Sequence, residues 1–268
     1  MKLLNIGCGS TFHPAWINID VAPQSPKVQK YDIRKKLPFL ENGFDACYSS
    51  HVLEHLTKEE ARNLLAECLR VLKTGSVVRI VVPDLEAIAR NYLETLERVE
   101  KGIVGSESDY DWMLLEMYDQ TVRQYSGGEM CRYLSRPDIK NSDFIRSRIG
   151  FESEINQASM WKKLKSKNPS WFIRKFRTKL AEILVALIAG RETQHAFKEG
   201  VFRASGEIHR WMYDRFSLQR MLEKTGFVDV RVCRADESRI PDFSSYNLDI
   251  IEGKIRKPDS LFMEGIKP

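Results

Sequence analysis

The first twenty residues, Met1 to Asp20 (MKLLNIGCGSTFHPAWINID), constrain the fold more than any other stretch of the chain. A short apolar run, Leu3, Leu4 and Ile6, is interrupted only by Asn5 and leads into Gly7-Cys8-Gly9. A second run, Trp16 to Ile19, ends in Asp20. A buried strand, a glycine turn and a second strand tipped with a carboxylate make the front edge of a nucleotide-type site. Glycine lets the backbone approach a ligand closely, since no Cβ stands in the way and positive φ is allowed. The carboxylate can accept both hydroxyls of a ribose. A lone G-x-G pair is often only a tight turn; the two flanking strands are what give this one weight.

The spacing argues against a dinucleotide fold. A nicotinamide fingerprint wants three glycines and an acid about 20 residues beyond them. Here Asp20 follows Gly9 by only eleven positions, and Phe12 stands where the last glycine would be. The link between the two strands is therefore too short for a full helix. LLNIGCGS followed by WINID resembles the opening of a class I S-adenosylmethionine-dependent methyltransferase. The resemblance implies that the loop Gly7, Cys8, Gly9 passes under the cofactor's amino-acid part and that Asp20 holds its ribose. The family usually has an acid where this chain has Asn5, so the Asn5 amide is expected to contact the loop or the methionine amine without a charge.

The resemblance continues from Asp32 through LPF to GFDACYSSHVLEHL. It implies that Asp32 with Ile33 holds the adenine and that Ser49, Ser50 and His51 lie near the sulfonium. Phe44 to Tyr48 reads as a buried strand after the Asn42-Gly43 turn. Thr57 and Glu60 form a capping-box pattern ahead of an apolar stripe, Ala61, Leu64, Leu65, Cys68, Leu69 and Leu72, with Lys73-Thr74-Gly75 as the helix end. Val77 to Val82 is a β-branched run suited to a central parallel strand, closed by Pro83-Asp84.

Beyond Leu85 the pattern changes to helical stripes, the clearest over Leu85–Glu100 and from Trp112 to about Tyr125. Sheet signals return with a short helix from Ser217 to Lys224, a strand over Val228–Cys233 and a last strand at Leu261–Glu264. The expected fold is α/β, a doubly wound, Rossmann-like, mostly parallel sheet ending in antiparallel strands. Residues 1–84 and 206–268 would form the cofactor-binding domain, and 85–205 a helical insertion that caps the acceptor. The tail, SGEIHRWMYDRFSL with SRIPDFSSYNLDI and KPDSLFMEGIKP, resembles bacterial methyltransferases associated with cell-surface polysaccharide synthesis.

Composition sets the remaining bounds. At 268 residues the chain can bury a sizeable core, and 43% hydrophobic with 29% charged residues is ordinary for a globular protein. The net charge of +5 does not by itself indicate a nucleic-acid partner. Five scattered cysteines with no C-x-x-C pair fit reduced thiols, neither a disulfide framework nor a zinc site. No apolar run reaches transmembrane length and the N-terminus lacks a signal-peptide pattern, so a cytoplasmic protein is expected.

His51-Val52-Leu53-Glu54-His55 fits H-x-x-E-H, a zinc-peptidase pattern with both histidines on one helical face. No third ligand on a downstream helix is evident, and the surrounding residues match the methyltransferase resemblance, so no metal site is expected. In that reading Glu54 and His55 shape the helix start and His51 points at the reaction centre. Methyl transfer to a hydroxyl needs a base, and His209, His51 and Asp84 are the candidates. Asp84 is equally readable as an N-cap, and His209 as a packing residue.

Trp161 to Lys179 carries eight Lys or Arg and no acid, interleaved with aromatics, and runs into the apolar segment Leu180–Ala189. It reads as an anchor at an anionic membrane surface, or as a solvated loop beside a buried cap helix. A nucleic-acid groove would not want the apolar helix, so nucleic acid is not an expected partner. The expected activity is methyl transfer from S-adenosylmethionine to a sugar oxygen of a surface glycan or its precursor. The rivals are a methyltransferase acting on RNA or a small metabolite, and a non-catalytic cofactor-binding or membrane scaffold protein.

Overall fold

The computed structural model describes residues 1–150 and 169–268. Four strands come first: β1 (Leu3–Ile6), β2 (Trp16–Asp20), β3 (Val28–Lys30) and β4 (Phe44–Ser50). Helix α1 (Lys58–Val71) then runs directly into β5 (Leu72–Pro83). The helical region holds α2 (Leu85–Glu100), α3 (Ser106–Val122), α4 (Gly128–Leu134), α5 (Ser142–Ile149) and α6 (Pro169–Arg203), the last broken by a kink at Gly190. The chain closes with α7 (Arg215–Thr225), β6 (Val228–Cys233), the small hairpin β7 (Ile250–Ile251) and β8 (Lys254–Ile255), and β9 (Ser260–Ile266).

Seven strands form one sheet in the order β3-β2-β1-β4-β5-β9-β6. The first five are parallel, and β9 runs antiparallel between β5 and β6. The strand order reverses between β1 and β4, and ligands in such sheets bind beyond the carboxyl ends of strands at that point. The expected mostly parallel α/β fold with terminal antiparallel strands is therefore what the chain adopts.

Alternation along the strands gives the sheet two apolar faces. Leu4, Ile6, Ile19, Cys47, Val78 and Ile80 pack against α1 and α7. The capping box at Thr57 and Glu60 forms as expected and starts α1, which buries Ala61, Leu64, Leu65, Cys68 and Val71. On the opposite face Leu3, Trp16, Tyr48, Val77 and Val81 are covered by Ala235, Ile240, Phe243 and Leu248 from the irregular segment before β9. No element lies between β4 and β5 except α1 and its preceding short 3-10 turn, so this cover has to come from the C-terminal part of the chain. The helical region builds its own core around Ile88, Trp112, Met113, Tyr133 and Ile145.

Arg79 pins that irregular segment to the sheet. It sits mid-strand in β5, fully buried, where the sequence shows only a β-branched run. Its Nε donates to Asp249 at 2.8 Å and one terminal nitrogen to Glu264 at 2.9 Å. Its remaining donors reach the backbone carbonyls of Arg234, Ala235 and Glu237. Tyr48 donates to the other Asp249 oxygen at 2.5 Å. A guanidinium with five donors can satisfy several loop carbonyls at once, which explains an arginine at this position.

Candidate active site

Three strand ends converge at the switch point. Gly7 follows β1 with φ at +67°, and a Cβ there would lie 2.4 Å from Val52 Cγ2, so any other residue would be strained and would have to displace Val52. Gly9 also has positive φ, but a Cβ there meets nothing within 4 Å, leaving open space above the loop. The loop is held from below by Asn5, whose amide donates to Thr11 O at 3.2 Å and to Asn18 Oδ1 at 3.1 Å. Asn18 in turn donates to the carbonyls of His13 and Trp16. In this structure Asn5 thus braces the glycine loop, a role that an amide fills and a carboxylate could not.

Asp20 ends β2 and accepts from Gly9 N at 2.8 Å and Ala22 N at 2.7 Å, so it closes the loop against the strand tip. Burial and the Asp20 charge push the Cys8 thiol up to about 12, which makes it an uncharged part of the loop. Asp32 and Ile33 follow β3. The Arg34 guanidinium forks onto both Asp32 oxygens at 2.8 Å and holds that carboxyl down to about 2.

The β4 end contributes Ser49, Ser50 and His51. Ser49 is buried and donates to Ile6 O, tying β4 to β1. Ser50 instead accepts from Arg256 at 2.7 Å, and both line a small pocket with Asn5, Gly7 and Cys8. Arg256 was invisible as a site residue in the sequence, because its approach depends on the β7–β8 hairpin folding back. His51 adopts φ +55° and is held between Glu54 Oε1 at 3.2 Å and Ser260 Oγ at 2.9 Å. Burial, with Lys257 and Arg256 nearby, keeps its ring well below the ordinary imidazole range.

The segment after His51 departs from the helical expectation. Leu53–His55 forms one 3-10 turn, so His51 and His55 do not share a helical face. His55 turns instead toward His209, with ring centroids 4.8 Å apart and edge to face. The His55 Nδ1 meets Ile208 O at 3.2 Å, and the backbone N–H groups of Arg210 and Trp211 donate to Glu54 O. This pairing brings the segment before α7 onto the end of β4. Glu54 is fully buried.

His209 is buried, its Nδ1 has no hydrogen-bond partner among the described residues, and burial with His55 and Arg123 nearby pushes the ring down to about 2. It also lines a cleft of about 740 Å³ whose walls include Leu85, Thr121, Arg203, Arg210 and Trp211. That volume is within the range of small-molecule sites. Asp84 caps α2 by accepting from Glu86 N at 3.0 Å, and burial lifts its carboxyl above the usual range. Of the three base candidates only His209 lines the cleft.

A family model described as Methyltransferase domain matches residues 4–80, which span β1 to most of β5. That segment is similar to a methyltransferase domain. S-adenosylmethionine is the cofactor it implies, and the matched range contains the glycine loop, Asp20 and the β4 end. Among solved structures, a SAM-dependent methyltransferase from Archaeoglobus fulgidus is similar at 13% identity, covering 99% of this chain and 86% of that one, with a TM-score of 0.40. A SAM-dependent methyltransferase from Thermotoga maritima is similar at 13% identity over 100% and 82%, with a TM-score of 0.37. The [4+2]-cyclase SpnF is similar at 23% identity and a TM-score of 0.25, over 30% of this chain and 38% of its own. No curated protein matches the chain.

Proposed function

We propose that the protein transfers the methyl group of S-adenosylmethionine to an oxygen of a sugar in a surface polysaccharide or its precursor. One observation carries this reading: the cleft meets, at His209, a chain of buried and half-buried polar side chains running through His55, Glu54 and His51 to the β4 end. An acceptor in the cleft would then face the methyl group across His209. Trp211 offers a half-exposed ring for the apolar face of a sugar, and Arg203 and Arg210 offer donors for its hydroxyls. In-line placement of acceptor oxygen and methyl-sulfur bond supplies much of the rate. We assign residues 1–84 and 206–268 to cofactor binding and 85–205 to the acceptor.

Calorimetry with S-adenosylmethionine is the first test, with Asp20→Ala expected to lose most of the affinity. Mass spectrometry of glycan, RNA and metabolite acceptors then reads which class gains a methyl group. Cofactor binding without any methylated acceptor would favour the non-catalytic rival.

We also propose contact with an anionic membrane surface through α6. Residues 151–168 lie outside the described residues, so the first part of the basic run is untested by the fold. Within α6 the apolar residues Phe176, Leu184, Leu187 and Ile188 are exposed, with Lys175, Arg177 and Lys179 beside them. Cations next to an uncovered apolar face match an anionic headgroup layer. No helix among the described residues is long and apolar enough to cross a membrane. Co-sedimentation with phosphatidylserine vesicles should fall in K175S/R177S/K179S and in L187E/I188E; unchanged binding in both overturns the contact.

A further inference from the structure

We infer that Glu54, His55 and His209 bind one divalent first-row transition ion at the floor of the cleft, and that this ion holds the acceptor hydroxyl. The second clause rests on the methyl-transfer reading; the ion binding does not.

The three side chains each offer a ligand atom, and these atoms lie within 4.8 Å of one another. Donors bound at about 2.1 Å can stand at most about 4.2 Å apart across an ion, so a small swing of one ring closes the set. The H-x-x-E-H segment lacked a third ligand in the sequence. The fold supplies it from the far side of the helical region, because Arg210 and Trp211 N–H bonds to Glu54 O draw His209 onto the 3-10 turn.

Local hydrogen bonding prepares the donors. His55 Nδ1 engages Ile208 O, which leaves Nε2 with the lone pair, the pattern by which metal-binding histidines are oriented. Glu54 Oε1 lies 3.2 Å from His51 Nδ1. Among the described residues His209 Nδ1 and the hydroxyl of Tyr213, which lies near Glu54, are buried without a hydrogen-bond partner. Buried polar atoms are rarely left so. Two imidazoles and a carboxylate suit zinc, cobalt, manganese or iron(II), whereas magnesium and calcium prefer oxygen alone.

Three protein ligands leave a position open, and His209 places it at the cleft wall. An acceptor hydroxyl bound there loses its proton more readily. The proton passes to solvent and the oxygen keeps the electron pair. That oxygen then forms the new bond to the methyl carbon while the carbon–sulfur bond breaks. Its electron pair stays on sulfur, and the sulfonium becomes a neutral thioether.

The test uses the full chain, stripped with chelator and titrated with cobalt(II) and zinc. One cobalt per chain should bind, with a visible d–d spectrum and no thiolate charge-transfer band, and should raise Tm. H55Q, H209Q and E54Q should each weaken binding by about tenfold or more, while H13A, remote from the cluster, should not. Folding of each variant is checked by circular dichroism. Absence of binding in the folded wild type, a thiolate spectrum, or wild-type affinity in both H55Q and H209Q would overturn the site. Cofactor calorimetry on the same samples separates the two readings. Cofactor binding and turnover unaffected by chelator overturn the ion's role alone, whereas ion binding without cofactor binding overturns the methyl-transfer reading and leaves the ion site standing.

Discussion

Two buried polar clusters lie at opposite sides of this sheet, and they are built on different terms. Around Arg79 every contact closes: two carboxylates, three carbonyls and a tyrosine hydroxyl complete the network. Around His209 the bonding among the described residues is incomplete, with an imidazole nitrogen and the Tyr213 hydroxyl left over. Burial punishes an unpaired polar atom, so a closed network belongs to the scaffold and an open one to a ligand. The first cluster holds the C-terminal cover on the sheet; the second faces the cleft.

Substitutions at the two clusters should separate along that line. The largest loss is expected for Arg79→Ala, which strands Asp249 and Glu264 as buried charges and should cost about 3–5 kcal/mol in urea unfolding. A loss below about 1 kcal/mol would mean that the network is not what holds the cover.

Glu264→Gln should cost about 1.5–3 kcal/mol at neutral pH, with a pH signature. Burial pushes the Glu264 carboxyl up, but the Ser238 hydroxyl, the Arg239 N–H and Arg79 outweigh it, and the net shift is downward. A group whose folded pKa is lowered contributes stability above its unfolded pKa and loses it as pH falls through the folded one. The gap between wild type and E264Q should therefore be full above pH ~5 and shrink on acidification below about 4. Unfolding curves across that range check the sign.

Gly7→Ala changes the glycine loop after β1. The new Cβ collides with Val52 and the positive φ is strained, so a loss of about 1–3 kcal/mol is expected. Adding Val52→Ala should return the steric part and not the strain.

His209→Gln should give the smallest stability change, within about 1 kcal/mol, because its Nδ1 has no bond to lose among the described residues. Turnover on an authentic acceptor should nonetheless fall by about 10²-fold with cofactor affinity retained. A large stability loss with normal turnover per folded molecule would place His209 with Arg79 as scaffold.

The sequence by itself determined the front half of the sheet. Leu3 to Asp20, Phe44 to Tyr48, the Thr57 capping box and Val77 to Val82 carry local signals, because alternation, β-branching, glycine and caps act over a few residues. It also marked the helices Leu85–Glu100 and Ser217–Lys224, whose apolar stripes repeat within each element. Only the tertiary structure decided what the polar residues do. Arg79 looked like one interruption in an apolar run, and its partners at 249 and 264 come from a segment that folds across the sheet. Asn5 became a brace because β1 and β2 pair in register with Asn18 opposite it. His51 and His55 parted because Leu53–His55 is a 3-10 turn, and His209 arrived beside His55 through backbone bonds to Glu54. Such juxtapositions are long-range, and no short-range pattern in a chain encodes which distant side chain will fill a given gap.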